Sequence, residues 1–427
     1  MTATVVTGIG VVAPTGIGLD EHWSAILAGR SAIGELSRFD ATGYPVQLAG
    51  EVSGFTVGER VPGKLVPQTD HWTHLGLLAA ELALIDAGVE PAGLPEYEMA
   101  VVTASSSGGT EFGQREIQAL WREGPHEVGA YQSIAWFYAA TTGQISIRHG
   151  MRGPCGVIAT EQAGGLDAVG QARRVLRAGA RMVVTGGTDA SLCPYGLVAQ
   201  LSTQRLSTRN DPARAYLPFD LDACGYVPGE GGAMLVLETA ESAARSGGAR
   251  YGVVLGYAAA FDPPPGSDRP ARLRAAIENA LTDARLRPAD IDVVFADAAG
   301  VPELDRIEAT AIAEVFGPYG VPVTAPKTMT GRLYAGGAAL DLVTALLALR
   351  DGVVPPTVGV TRLASGYRID LVGPQPREAP LRTALVLARG AGGFNAAVVL
   401  GREKDTSDTP TPNIPTSYTT RKEHNHG

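Results

Sequence analysis

Short apolar runs alternate along the chain with longer segments in which apolar residues recur at helical spacing. Runs of strand length, bounded by turn-forming residues, are found at 4–6, 101–102, 156–160, 181–185, 251–255 and 291–296. Segment 4–6 is expected to end where Gly8 and Gly10 follow it. Segments 383–387 and 396–400 predict a closing hairpin.

Helical periodicity is clearest between residues 69 and 88. There, apolar side chains share one face, Thr69 is placed to cap the helix and Gly88 to end it. The same spacing predicts helices at 166–178, 270–285 (with Pro270 in its first turn), 303–316 and 336–350. Alternation of strands with helices predicts an α/β fold.

The second half of the chain repeats the first. Segments 182–187 and 384–390 occupy matching places, so an internal duplication is expected. The predicted halves are residues 1–250 and 251–403. Residues 404–427 are rich in Thr, Pro and Ser with almost no apolar positions, which predicts a disordered tail.

Composition narrows the classes of function. Lys and Arg number 35 against 44 Asp and Glu, a net charge of −9, which argues against binding nucleic acid or an anionic membrane through bulk electrostatics. The most apolar stretch, 336–349, is short and contains Asp341, and the N-terminus lacks the basic region of a signal peptide. A cytoplasmic protein with no membrane segment is therefore expected.

The rare residue types exclude several kinds of site. The three cysteines are far apart and form no C-x-x-C pair, which fits neither a disulfide scaffold nor a zinc ribbon. No histidine lies between residues 150 and 423, so that region cannot supply a histidine triad. His71 and His74 share a helix face, but with no third ligand evident no metal site is expected.

Five turn-rich stretches stand out: 8–18, 157–168, 225–238, 325–337 and 389–395. In the first, the third glycine comes too late for a dinucleotide fingerprint, which favours tight turns. In the second, a strand turns sharply into a helix and presents Gln162 at the helix N-terminus, where many enzymes hold a nucleophile. An amide cannot ionise, so taken alone Gln162 is an ordinary residue at a helix start.

Taken together and in this order, with the run 141–154, these stretches resemble the β-ketoacyl synthases of the thiolase superfamily over roughly residues 3–402. The resemblance implies a thiolase-like duplicated fold. Two α/β halves would form a layered α-β-α-β-α core.

Condensing members of that family use one cysteine and two histidines. On the motifs, the cysteine position falls on Gln162 and the histidine positions on Asp297 and Arg332, while Lys327 matches the family's lysine and Glu308 follows in register. All three catalytic positions are replaced. We expect Asp297 and Arg332 to form an ion pair, because an unpaired buried charge would be costly. Cys155, which lies before the strand, is expected to be a small buried side chain.

This pattern of replacement is similar to that of the chain length factors, the β subunits of type II aromatic polyketide ketosynthases. The resemblance implies an obligate heterodimer with a catalytic sister ketosynthase (the α subunit), and a tunnel at the interface that holds the poly-β-ketone. Acyl carrier protein would deliver malonyl units on its phosphopantetheine arm, and the chain itself would bind no cofactor directly. It would be a subunit of an acyltransferase complex that is not itself competent for condensation.

Two roles stay open for Gln162. Its amide could donate a hydrogen bond to a thioester carbonyl and so assist decarboxylation of malonyl-carrier protein. Alternatively, it fills the vacated cavity and satisfies the N–H groups of the helix end. The charge of Asp297 counts against the first role unless Arg332 neutralises it.

Length control is predicted on the helix after Gly108 and Gly109. Thr110, Gly113 and Ile117 share one face, and in the family this helix lines the tunnel. Leu197 is expected to bound the same cavity. None of the three α4 residues is bulky, which favours a long tunnel and a decaketide or longer product. Alternatively, these small residues pack against the partner.

Two rival interpretations remain. The chain could be an autonomous, homodimeric acyl-condensing or decarboxylating enzyme that uses unusual residues, or a scaffold with no part in length control. Expression without a partner separates the first rival from a heterodimer subunit, since large apolar interfaces are poorly tolerated unpaired.

Overall fold

The computed structural model describes residues 3–246, 251–264 and 266–402. The predicted tail at 404–427 and the predicted boundary at residue 250 lie outside these ranges. Within them, none of the helices has the length and hydropathy needed to cross a membrane.

The first half contributes eight strands and nine α-helices to the described chain. The strands are β1 (Thr4–Ala13), β2 (Gly16–Ile17), β3 (Ile33–Glu35), β4 (Leu48–Gly50), β5 (Met99–Ala104), β6 (Cys155–Ile158), β7 (Met182–Asp189) and β8 (Gly231–Thr239). The helices are α1 (Leu19–Leu27), α2 (Val57–Arg60), α3 (His71–Asp86), α4 (Thr110–Glu123), α5 (Gln132–Ala135), α6 (Ala140–His149), α7 (Gly164–Arg177), α8 (Pro194–Leu201) and α9 (Ala240–Ser246).

The second half follows the same plan with fewer insertions. Its strands are β9 (Gly252–Phe261), β10 (Val293–Phe295), β11 (Pro322–Thr324), β12 (Val353–Val354), β13 (Asp370–Leu371), β14 (Arg377–Glu378), β15 (Thr383–Gly390) and β16 (Phe394–Gly401). Its helices are α10 (Leu273–Ala284), α11 (Pro302–Phe316) and α12 (Ala335–Asp351). Strands β15 and β16 form the predicted hairpin.

The order of strands in the main sheet confirms the duplication. The sheet runs β13-β11-β10-β15-β16-β9-β1-β8-β7-β5-β6. Numbered within its own half, each set of five core strands has the order 3-2-4-5-1, and the two sets meet where β1 pairs antiparallel with β9. Two short ribbons, β3–β4 and β12–β14, lie outside this sheet.

Helices α7 and α12 form the middle layer between the two halves of the sheet. One hydrophobic cluster joins both helices to the inner faces of β1, β7, β15 and β16. The opposite face of the first half packs on α3, and that of the second half on α10 and α11. This is the layered α-β-α-β-α core expected. Helix α12 is buried on all sides from Ala335 to Leu349 because it is covered by both halves, and apart from Asp341 and Thr344 that stretch is apolar.

Strand β1 corrects the expected turn at Gly8 and Gly10, because it continues through both glycines to Ala13. A Cβ on Gly8 would lie 2.2 Å from the carbonyl oxygen of Ala83, and one on Gly10 only 1.9 Å from that of Ala79. The glycines are therefore needed for the close packing of α3 on the strand.

Two helix starts also differ from expectation. Asp70, not Thr69, caps α3 by accepting a 3.1 Å hydrogen bond from the Trp72 N–H. Thr69 instead donates to the carbonyl of Leu65. Helix α10 begins at Leu273, so Pro270 precedes the helix and does not occupy its first turn.

Candidate functional site

The site lies where strand β6 turns into helix α7, with Gln162 in a single 3-10 turn, Glu161–Ala163. Glu161, just before it, has φ 52°, in the left-handed region that costs a non-glycine residue roughly 1–2 kcal/mol. Its carboxylate accepts a 2.7 Å hydrogen bond from the Ala391 N–H, which ties this strained turn to the loop between β15 and β16.

Gln162 is fully buried and its amide lies against the start of α12. A Cβ on Gly337 would be 2.5 Å from Gln162 Nε2, so the glycine makes room for the amide. Within the described chain neither polar atom of that amide has a hydrogen-bond partner. The suggestion that Gln162 satisfies the N–H groups of the helix end is therefore wrong, because the side chain packs on α12. An unsatisfied buried amide costs about 1–3 kcal/mol.

The predicted ion pair between Asp297 and Arg332 is confirmed. Arg332 Nη2 lies 3.0 Å from Asp297 Oδ1, and the two side chains are 4% and 1% exposed. Arg332 also donates to the carbonyl oxygens of Asp297, at 3.2 Å, and Arg389, at 2.7 Å. Asp297 in turn accepts from the Arg389 N–H at 2.8 Å. The two positions that the motifs align with the family's histidines thus hold a fully partnered ion pair.

The charges around this pair keep the guanidinium of Arg332 protonated. Burial alone would lower the pKa of the guanidinium, but the Asp297 carboxylate outweighs it and raises the pKa well above its usual range. The guanidinium carbon also lies 5.4 Å from the centre of the Tyr226 ring, a favourable cation–π distance. Arg332 is permanently charged and cannot take the part of a neutral imidazole.

A second buried pair stands beside the first. Lys327 Nζ lies 2.8 Å from Asp341 Oδ2 and also donates to the carbonyl of Ala296. Glu308 accepts hydrogen bonds from the N–H groups of Asp297, at 2.7 Å, and Ala298, at 2.8 Å. Burial, with the negative charge of Asp297 next, raises the pKa of Glu308 to about 7. The hydrogen bonds of Glu308 and Lys327 order the loop after β10.

Neither Cys155 nor Cys193 belongs to this turn, since the first lies on β6 and the second at the start of α8. Cys155 is exposed on β6, which corrects the expectation that it is buried, because β6 is the edge strand of the sheet. Cys193 is the N-cap of α8, and burial raises the pKa of its thiol, with the Gly196 N–H hydrogen bond opposing this. A raised pKa disfavours the reactive thiolate.

The two helix histidines belong to a different network. His71 Nε2 lies 3.3 Å from the buried Glu230 and 3.0 Å from Arg38, while His74 Nε2 is 2.9 Å from Thr69 Oγ1. In the part of the chain described, no group of three or more His, Cys, Asp or Glu side chains is arranged to hold a metal ion.

The structure places three of the four predicted tunnel residues on α4. Thr110 and Gly113 are buried, and Ile117 is 45% exposed. Leu197, on α8, is fully buried in a hydrophobic cluster with Tyr226 and Tyr334. Helices α4 and α8 are in contact, and the side chain of Gln114 accepts from the Tyr195 N–H at 2.7 Å.

Arg389 is the residue of the site that the motifs did not single out. Its main chain holds both members of the Asp297–Arg332 pair, and its side chain lies 3.7 Å from Asp262. A signal was present, since Arg389 is the only charged residue in the glycine-rich run 389–395.

Two surfaces of the chain expose groups that a folded monomer usually covers: the edge of a strand and a set of large apolar side chains. Among the described residues, strand β6 pairs only with β5, so its other edge is unpaired there. Near α4, α5 and α8, large apolar side chains are exposed: Ile117, Leu120, Trp121, Tyr131, Ile134, Trp136, Phe137, Tyr195 and Val198. We call this set the apolar patch.

Known proteins resemble this chain over nearly its whole length. The families described as β-ketoacyl synthase, N-terminal domain and β-ketoacyl synthase, C-terminal domain match residues 1–243 and 251–361. The tetracenomycin polyketide synthase ketoacyl synthase beta subunit of Streptomyces glaucescens is 60% identical, over 93% of this chain and 98% of that protein.

Two solved structures have the same fold. The ishigamide ketosynthase/chain length factor superposes with a TM-score of 0.88 at 26% identity, covering 94% of this chain and all of that one. A complex of a type II polyketide synthase acyl carrier protein with its ketosynthase bound to the hexaketide superposes with a TM-score of 0.84 at 26% identity. It covers 94% of this chain and 99% of that chain.

Proposed function

The chain belongs to the β-ketoacyl synthase family, and we propose that within it the chain is a chain length factor. It pairs with a catalytic ketosynthase and shapes the tunnel that sets the length of a poly-β-ketone. It does not carry out the condensation itself.

The observation that carries this proposal is the state of the former catalytic centre. The nucleophile position holds the buried amide of Gln162, and the two histidine positions hold the Asp297–Arg332 pair. Condensation requires a group that attacks an acyl thioester, and a nucleophile must ionise or be deprotonated by a base. Neither an amide nor a paired guanidinium can do this, so the reaction must occur on another subunit.

The open surfaces support an obligate partner. An unpaired strand edge offers hydrogen-bonding groups to a second strand, and the apolar patch exceeds the scattered apolar residues of ordinary surfaces. Both features are expected of an interface that is covered in the working protein. A sister ketosynthase with the same fold fits this role, because its own edge strand could extend the sheet.

Acyl carrier protein is the second proposed partner. The structurally similar ketosynthase complex described above contains an acyl carrier protein. By analogy, malonyl units would reach the heterodimer on the phosphopantetheine arm of such a carrier, and this chain would need no cofactor of its own. The carrier would dock mainly to serve the partner's cysteine.

Length control is assigned to α4. Thr110, Gly113 and Ile117 lie on one side of this helix, beside the apolar patch, where an interface tunnel would pass. Their small size favours a decaketide or longer product. Leu197 is proposed to close the same cavity from α8.

The unpartnered amide of Gln162 favours one additional role. A buried donor without a partner is suited to a thioester carbonyl that turns into an enolate during malonyl decarboxylation. The Asp297 charge does not oppose this, since Arg332 neutralises it. The test is malonyl decarboxylation by a heterodimer whose partner has lost its own cysteine. Gln162→Ala should slow it, and an unchanged rate would remove the role.

Co-expression tests the main proposal. Alone, the chain is expected to be poorly soluble and unable to extend acyl chains; with a sister ketosynthase it should form a heterodimer that makes polyketides from malonyl-carrier protein. A soluble homodimer that elongates acyl chains without a partner would establish the autonomous enzyme instead.

A further inference from the structure

Trp136 lies against the face of α4 that is assigned to the tunnel. It directly follows α5, and its ring approaches Gly113 closely: a Cβ on that glycine would lie 3.0 Å from Trp136 Cδ1 and 3.5 Å from Nε1. The space that the missing side chain leaves at position 113 is therefore occupied by an indole from another segment.

The position of this tryptophan is fixed by its backbone. A Cβ on Gly108 would lie 2.4 Å from the carbonyl oxygen of Trp136, and one on Gly109 would lie 2.2 Å from that of Ala135. The Gly109 N–H donates to the Trp136 carbonyl at 3.2 Å. Any side chain at either glycine would push the segment away. Three glycines at the start of α4 thus share one purpose, which is to seat residues 135 and 136.

We propose that Trp136 is a specificity-determining residue that limits product length. This rests on the proposed function, because it assumes that the growing chain passes this face of α4. The bulky wall at the level of Gly113 is then not a side chain of α4 but the indole of Trp136. Trp136 is 47% exposed, so part of the ring is free to contact a chain in an interface tunnel.

An indole is well suited to such a stop. It is large and planar and has only two side-chain torsions, so it forms a firm boundary at little entropic cost. Removing it takes away the two atoms that lie closest to a Cβ on Gly113. A tunnel lined only by Thr110, Gly113 and Ile117 would therefore be wider than one that also has the Trp136 indole in its wall.

The experiment compares products of the complete heterodimer, with acyl carrier protein and malonyl units, by mass spectrometry. Trp136→Ala should lengthen the main product by at least one two-carbon unit. Trp136→Leu, which retains more bulk, should give an intermediate shift and is available if the alanine variant does not assemble.

Phe137→Ala is the matched control. It removes an aromatic ring of the same segment that is 56% exposed and is not among the closest neighbours of Gly113. An equal lengthening in Phe137→Ala would show that loosening of the segment, not loss of the indole, changes the length, and would overturn the proposal. Unchanged product length in assembled Trp136→Ala would overturn it as well.

A second comparison separates this proposal from the proposed function. If Ile117→Phe shortens the product but Trp136→Ala leaves it unchanged, α4 lines the tunnel and only the role of Trp136 is wrong. If neither variant changes the product of an active heterodimer, the assignment of length control to this face is itself wrong.

Discussion

Removal of Asp297 should destabilise the protein far more than removal of a surface partner. Arg332 is 4% exposed, and without the carboxylate its guanidinium would keep only two carbonyl acceptors. Stranding one charge of a buried pair costs about 3–5 kcal/mol. Asp297→Ala also strips the Arg389 N–H of its acceptor, which adds about 1 kcal/mol or more.

Replacing both members distinguishes a stranded charge from lost packing. Asp297→Leu combined with Arg332→Met removes both charges of this pair, and apolar replacement of such pairs is often neutral or stabilising. The double variant should therefore be more stable than Asp297→Ala alone. The two contributions are expected to be strongly non-additive, since the side chains are in direct contact.

The assay is urea unfolding of the purified heterodimer, followed by tryptophan fluorescence at one pH and one protein concentration. Glu96→Ala is the control, because it breaks the exposed pair with Arg152 and should cost at most about 1 kcal/mol. If Asp297→Ala shifts the transition no more than Glu96→Ala does, the reasoning on the buried pair is refuted.

Three other predictions follow from the packing and the pKa shifts. Gly337→Ala should destabilise by about 1–3 kcal/mol in thermal melts, because its Cβ would lie 2.5 Å from the Gln162 amide; Gln162→Ala should relieve this, and no relief would contradict the contact. Burial lowers the pKa of His22 to about 3. The unfolded chain binds that proton near pH 6.5, so stability should fall on acidification below pH 6.5 by up to about 1.4 kcal/mol per pH unit, and His22→Gln should flatten the slope. An equally steep slope would refute this. Trp121→Glu should weaken association with the partner in analytical ultracentrifugation, whereas Ile85→Glu, exposed on the outer helix α3, should not; equal effects would place the interface elsewhere.

The candidate site could be proposed from sequence because its residues lie in ordered motifs. Each of Gln162, Asp297 and Arg332 follows a strand in a recognisable run, so alignment by the runs places it without knowledge of the fold. The ion pair could be predicted because the resemblance implies that the two histidine positions converge, and two opposite charges at converging buried positions are much more stable paired. The orientation of the Gln162 amide could not be inferred, because it depends on space above Gly337 in a distant helix.

The features that were predicted wrongly from the sequence are determined by contacts between residues that are distant in sequence. Gly8 and Gly10 suggest a turn locally, but they lie in a strand because α3 packs directly on them. Asp70 and Thr69 are both good caps; Asp70 takes the position because its carboxylate also accepts a 2.6 Å hydrogen bond from the Phe112 N–H of α4. Cys155 is exposed because of strand order, which the sequence of one chain does not reveal.

The most direct test of the central claim is the product length of a heterodimer that contains Ile117→Phe while the partner is left unchanged. Because Ile117 lies on α4 at the apolar patch and is 45% exposed, the substitution should shorten the polyketide without abolishing condensation on the partner. A product as long as that of the unsubstituted heterodimer would contradict the claim that this subunit sets chain length.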